Sequence, residues 1–491
     1  MPLSHHGAAQ GSPPALWWET AVCGWLILMI VSGGISLPSA LVTTVHSVSS
    51  IFIIAVAAWH LRRGFPTWVA AAGAVLILLG LLLIVAQLVP LPPDVWSALP
   101  KRNLVVDIYT ASGRPLPWLP LNLQPSAGYG AAMAFLPAIA GYLAVLTLDS
   151  RRLTWIALII LSCALFSAVL ALAQRYAGFG YDLHFYGKES NAVASGTFNN
   201  RNFLAAQLFA AIPFVAATAM HVTDHWRMPP WLSTLFAATY TGMLLTSLAA
   251  SGSRGGVLLA MLGVFLTFAL VFRWHRFAQS GAAIFATLAA FFVISQASMV
   301  GILRLAERDP LADFRTTIYA VASKGAYALF PMGGGFGSFA SVYQIFESPA
   351  DIVDNYVNHA HNDWLELVFD GGLPALLLLM AFLFLTVVAA VRLVRLGMFS
   401  HGSAFYRAAA VSAFLLMVHA LVDFGLRTPA LMSLFAVLMG MVTLPGAVLR
   451  GREQQHRPAA DPGLPKAPRS LRPFVPGTFG VRRKPSTEQG S

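Results

Sequence analysis

Runs of about 20 consecutive apolar residues recur from end to end of this chain, and each is long enough to cross a bilayer as a helix. Few other constraints on a fold are as strong. The composition agrees: 57% of the 491 residues are hydrophobic, only 10% are charged, and the mean hydropathy is +0.69. A soluble chain carries about 25% charged residues. The expected fold is therefore all-α, a polytopic membrane protein without separate soluble domains. Cys23 and Cys163 both fall inside apolar runs and are read as small core residues, since no disulfide framework or zinc spacing accompanies them. The opening "MPLSHHGAAQGSPP" lacks a basic n-region and a small-residue cleavage site, so no cleaved signal peptide is expected.

The hydropathy places spans at roughly 16–37, 41–59, 67–90, 127–148, 153–175, 202–220, 230–250, 256–272, 280–302, 371–393, 404–422 and 428–448, about twelve in all. Charge orients them. With the N-terminus cytoplasmic, the inside connectors and the C-terminal tail hold 19 of the 31 Lys and Arg and 6 of the 20 acidic residues. Each inside connector then carries at least one arginine, as the positive-inside rule requires. The net charge of +11 is thus a matter of topology. It does not point to nucleic acid, which would need a basic groove interleaved with aromatics. The expected division is a membrane domain over 1–450 and a tail over 451–491. That tail is rich in Pro, Gly, Ser and basic residues, reads as disordered, and could lie on anionic lipid.

The outside loops are unequal. Segment 91–126 is proline-rich and expected to pack over the membrane surface, and segment 303–370, between spans 9 and 10, is the longest. Four polar groups stand out there: Arg201 in "GTFNNRNFLAA", Arg254 in "SGSRGGVLLA", Arg315 in "DPLADFRTTIYA", and the pair His359 and His361 in "NHAHNDWLELVFDGG". Any one arginine near a span end could simply snorkel to the interface. Three of them beside a histidine pair, all on the less basic face, are harder to explain that way.

The histidines lie two apart, so on a helix they would not share a face, which argues against the i, i+4 grip of a metal ion. His361 could brace the next helix, and Asp363 and Glu366 suit a helix N-terminus. Alternatively, a neutral histidine can take up a proton near pH 7. Guanidinium groups bind phosphate through a planar fork. Arginines with a histidine base suit transfer from a lipid diphosphate to a hydroxyl, with the lipid in a groove between helices.

Taken in order, these segments resemble the O-antigen ligase superfamily, which includes O-antigen and exopolysaccharide polymerases. "QLVPLPPDVWSALP" and "LPLNLQPSA" resemble the first outer loop of its exopolysaccharide-type members. "GTFNNRNFLAAQL", "SGSRGG" and "FRTTIYAVASKGAYALFPMGGGFGSF" resemble its helix start, its Ser-Arg-Gly turn, and its arginine element with a glycine-rich turn. "HAHNDWLELVFDGGLPALL" resembles its His-x-His-Asn signature, and "HALVDFGLRTPA" fits a late outer turn. Tyr319 stands where tryptophan is common, and Asp370 where glutamate is.

The resemblance implies a multi-helix glycosyltransferase fold of the GT-C kind in a bacterial inner membrane, with cytoplasmic termini and a periplasmic active site. It implies transfer of a glycan from undecaprenyl diphosphate to a glycan or lipid A–core acceptor without a metal or other cofactor. Other polysaccharide-assembly proteins are possible partners. By motif, Arg254 and Arg315 would bind the diphosphate and His361 would be the base, with His359 as second choice. Arg201, Asn362, Asp423 and Arg427 would contact substrate, the last two at the outer rim of the cavity. The "FNNRN" and "PLPPDVW" segments favour a polymerase over a ligase. The competing class is a flippase or transporter of lipid-linked sugars. The absence of an internal repeat and the gathering of candidates in loops speak against it.

Overall fold

Apolar runs become helices because, in lipid, every backbone N–H and C=O needs a partner within the protein. The computed structural model describes residues 16–36, 39–149, 152–176, 183–186, 194–271, 310–349, 356–395 and 403–445. The chain divides into two units, Met1–Val448 and Leu449–Ser491. The second unit, the basic tail, lies outside the described residues.

The helices are α1 (Leu16–Ser32), α2 (Ala40–Leu61), α3 (Trp68–Ala86), the short α4 (Pro93–Trp96) and α5 (Asn103–Ala111), α6 (Pro125–Leu146), α7 (Leu153–Tyr176), α8 (Arg201–His225) and α9 (Pro230–Ser251). Next come α10 (Arg254–Leu266), which runs on as a π-helical turn over Thr267–Val271, α11 (Pro310–Ala328), the short α12 (Phe339–Tyr343), α13 (Asp363–Arg395), α14 (Ala404–His419) and α15 (Pro429–Thr443). Eight of the described helices are long and apolar enough to cross a membrane: α2, α3, α6, α7, α8, α9, α10 with its π turn, and α13. Three shorter apolar helices, α1, α14 and α15, stand at three further expected spans. The expected span at 280–302 lies outside the described residues.

The short helices have local causes. α1 ends at Gly33–Gly34 because the backbone passes close to its neighbours: a Cβ on Gly34 would sit 2.2 Å from Thr197 O. α14 stops at His419 and the chain turns, which leaves Asp423 outside the helix. α15 opens at Pro429, with Thr428 Oγ1 accepting from the Leu431 N–H at 3.3 Å.

The core is organised around α8, which is buried without a break from Phe203 to Ala219. It packs against α7, α9, α10 and α14. Small residues allow the close approach, as membrane helices commonly arrange. A Cβ on Gly256 of α10 would lie 2.4 Å from the Ala205 Cβ. A second group joins α6 to α2, α3 and α15.

α13 begins earlier than its apolar run. The segment from Asp363 to Gly371 is helical, and the chain then bends at Gly372, with φ 57° and ψ −144°. Backbone groups exposed by the bend find partners in the turn 331–337. Leu373 N donates to Pro331 O at 2.8 Å, Gly334 N to Phe369 O at 2.9 Å and Gly335 N to Asp370 O at 2.8 Å. Gln87 Nε2 adds a bond to Asp370 O at 3.2 Å. The proline-rich loop between α3 and α6 closes over the same turn through Leu123 N to Gly334 O at 2.9 Å and Asn122 Nδ2 to Phe336 O at 2.9 Å. That loop carries a two-stranded ladder of Pro90–Leu91 with Leu119–Pro120. The run "GGGFG" is therefore a seam between the loop and the bend of α13.

A side chain at position 372 would meet Pro331 O at 2.1 Å in a backbone conformation that disfavours it. Gly372→Ala is expected to cost about 1–3 kcal/mol of stability. Gly242→Ala on α9, where a Cβ meets nothing within 4 Å, is expected to be neutral or slightly stabilising. Thermal unfolding of the two variants in detergent, measured side by side, checks the contrast.

Candidate functional site

Three helix starts, one helix face and one turn carry the polar outliers. α8 is capped by Asn200, whose Oδ1 accepts from the Asn202 N–H at 2.8 Å, so Arg201 and Asn202 occupy its first turn. α9 ends on Gly252 in the left-handed conformation, φ 67°. Ser253 then caps α10 by accepting from the Gly256 N–H at 3.2 Å, and Arg254 is the first helical residue. The "SGSRGG" motif is thus a helix stop followed directly by a helix start. On α11, Arg315 and Tyr319 are four residues apart and share a face. α13 is capped by Asn362, whose Oδ1 accepts from the Trp364 and Leu365 N–H groups at 3.1 and 3.0 Å.

Asp423, on the turn between α14 and α15, is where these elements meet. Its side chain is only 2% exposed. Asn202 Nδ2 donates to Oδ2 at 2.6 Å, and the Phe424 N–H donates to Oδ1 at 2.9 Å. Arg315 Nη2 lies 3.4 Å from Oδ2, and His361 Nδ1 lies 3.6 Å from Oδ1, just beyond hydrogen-bonding reach. Ser253 Oγ donates to Asn202 Oδ1 at 2.7 Å, which ties the start of α10 to the same point. Burial works against the Asp423 carboxylate, but His361, His419 and Arg315 draw its pKa down to about 2. It stays charged at any pH near neutrality.

His361 is held in the left-handed region, φ 50°. Tyr319 Oη donates to its carbonyl at 2.9 Å. Its ring meets Phe424 edge-on with centroids 4.7 Å apart, and its side chain is 25% exposed. Arg315 is 32% exposed, so both can be reached from outside. His359 contacts the same Phe424 ring at 4.5 Å, but its Nδ1 is paired with Glu366 Oε1 at 2.9 Å. Glu366 Oε2 also accepts from the Ala360 N–H at 2.8 Å. The two histidines sit in irregular backbone, so the helical spacing argument did not govern them. Each packs on Phe424.

The other expected contacts are placed as follows. Arg254 is half-buried beside Ser253. Arg201 reaches the α9–α10 turn, with Nη1 3.9 Å from where a Gly252 Cβ would stand. Asn362 uses its side-chain oxygen to cap α13. Arg427 is 3.2, 3.4 and 3.5 Å from carboxylate oxygens of Asp363, Glu366 and Asp370. Burial opposes its charge, yet these three carboxylates hold its pKa above the ordinary arginine value. Asn362 and Arg427, both expected as substrate contacts, make these contacts inside the protein.

Sequence reasoning did not single out Asn202, Ser253, Tyr319 or Glu366 as site residues. A signal for Glu366 was present, since Asp363, Glu366 and Asp370 fall at i, i+3 and i+7 on one helical face. Among the described residues, no group of three or more His, Cys, Asp or Glu side chains is arranged to hold a metal ion.

A comparison with curated proteins gives no match. A family model described as O-antigen ligase matches residues 239–380. The matched segment runs from within α9 into α13 and contains Arg254, Arg315, His359, His361 and Asn362, whereas Arg201, Asp423 and Arg427 lie outside it. Its many apolar helices and this match make the chain an integral membrane protein, whose residues 239–380 are similar to the O-antigen ligase family.

Proposed function

We propose that this protein is a glycosyltransferase that moves a glycan from undecaprenyl diphosphate to a hydroxyl acceptor at the periplasmic face of the inner membrane, in exopolysaccharide or O-antigen assembly. The observation that carries this reading is the meeting at Asp423 of Arg315, His361 and, through Asn202 and Ser253, the helix starts bearing Arg201 and Arg254. Guanidinium groups beside an accessible imidazole suit an anionic leaving group and a hydroxyl nucleophile.

The step runs as follows. The acceptor oxygen attacks the anomeric carbon of the donor glycan while His361 takes the hydroxyl proton. A new glycosidic bond forms and the bond from that carbon to the diphosphate oxygen breaks. The carrier leaves as undecaprenyl diphosphate, and Arg254 and Arg315 meet the charge that grows on it. His361 Nδ1 faces Asp423, so Nε2 is the atom that faces the acceptor. His359, paired with Glu366, is a brace for the segment. Arg201 adds positive charge at the diphosphate end. The acceptor is a second lipid-linked glycan, as the "FNNRN" and "PLPPDVW" segments favour a polymerase.

A deletion strain tests both the class and the branch. Single repeat units left on the lipid carrier are the expected result; long unligated chains would instead mean a lost ligase, and normal glycan would end the reading. Arg254→Lys is expected not to restore output, because an ammonium keeps the charge but loses the planar fork. Full complementation by that variant would remove Arg254 from the diphosphate site.

A further inference from the structure

One buried carboxylate faces both halves of the proposed chemistry. Asp423 is fixed in place by neutral donors, Asn202 Nδ2 at 2.6 Å and the Phe424 N–H at 2.9 Å. Two other neighbours stand further away, the Arg315 guanidinium at 3.4 Å and His361 Nδ1 at 3.6 Å. His361 Nδ1 is buried and has no hydrogen-bond partner. The carboxylate is therefore anchored by one set of groups and shared, without full engagement, by another.

We propose that Asp423 couples donor capture to activation of the base: Arg315 compensates its charge, and a lipid diphosphate that draws Arg315 away leaves the carboxylate acting on His361 alone. The proposal rests on the assignment of Arg315 to the diphosphate and His361 to the base. A guanidinium gains more from a bidentate phosphate than from one loose carboxylate contact. Asp423 does not follow it, because Asn202 and the Phe424 N–H hold the carboxylate where it is. Once Arg315 no longer occupies and compensates it, the buried carboxylate lacks a partner for part of its acceptor capacity, and the nearest donor left to supply one is His361 Nδ1. The gap to Nδ1 then closes, which keeps a proton on Nδ1 and leaves Nε2 to accept the acceptor's proton.

The charged and titratable groups around His361 are Arg315 and Tyr319 of α11, His419 of α14, Asp423 of the following turn, and His359 and Glu366 of its own segment. Glu366 is already engaged by His359, the Ala360 N–H and Arg427. Asp423 is thus the carboxylate that answers to Arg315. Asp423 acts here as a positioning residue, and its consequence is order: the base reaches full strength only after the donor has bound.

The test is a ¹³C NMR titration of protein with labelled histidine rings in lipid nanodiscs, the His361 signal being assigned by its loss in His361→Gln. The probe is undecaprenyl diphosphate without a glycan. In the native protein the probe is expected to move the His361 titration midpoint up by about one pH unit, a tenfold change in proton affinity. Arg315→Gln is expected to give a similar rise with no probe, and adding Asp423→Asn should remove most of it. A rise that survives the double substitution would mean direct repulsion by Arg315 and would overturn the coupling. Arg315→Lys, which keeps the charge and leaves Asp423 untouched, should stay near the native midpoint. A rise there equal to that of Arg315→Gln would also overturn the coupling. A probe that binds without moving His361 ends the coupling but leaves the transferase reading standing, whereas a probe that does not bind ends both.

Discussion

His361→Ala is expected to lower glycan transfer by about 10²–10⁴, the range that a well-placed general base contributes. The protein should remain folded in the membrane. The ring is a quarter exposed, and what fixes its segment is the Tyr319 hydrogen bond to its main-chain carbonyl, which alanine retains. His359→Ala is expected to behave differently. That ring is mostly buried and tied to Glu366, so its removal should lower thermal stability before it changes the chemistry. Transfer assays and melting curves on the two variants separate the roles. Near-normal transfer by His361→Ala would end the mechanism.

Arg315→Ala is expected to cost about 10²–10³ in rate, as removal of one preplaced charge from a developing anion does. Its guanidinium is a third exposed and makes one loose ion pair, so folding should tolerate the change. The loss should appear in kcat as well as in donor KM, because the charge on the diphosphate grows as the glycosidic bond breaks. A change confined to KM would reduce Arg315 to a binding residue.

Much of the membrane part could be read from hydropathy, because lipid leaves the backbone few alternatives to a helix. Where helix ends depart from the apolar runs, the cause is tertiary. No hydropathy window registers that Gly34 must pass against the Thr197 backbone, or that α13 starts ahead of its apolar run at an asparagine cap. The candidate site was legible as a set of polar outliers gathered on one side, and the structure brings Arg315 and His361 to a common carboxylate. That Asp423 is where Asn202, Arg315 and His361 meet was not legible. It depends on Asn202 and on a turn 221 residues further along the chain, and a single aspartate near a span end has many simpler explanations. The ion pairs of Arg427 were not legible for a related reason: its three carboxylate partners share a helical face, but nothing local says which cation faces them. The glycine-rich run shows a further limit. Its glycines serve close backbone contact with the bend at Gly372, a use that composition alone does not separate from a ligand loop.

The most direct test of the central claim is the reaction itself. Purified protein in lipid nanodiscs is given an undecaprenyl-diphosphate-linked glycan in the presence of EDTA, and both new glycosidic bonds and released carrier diphosphate are measured. The account predicts that bonds form and that each is matched by one released undecaprenyl diphosphate. No bond formation, or formation only when magnesium is restored, would contradict it.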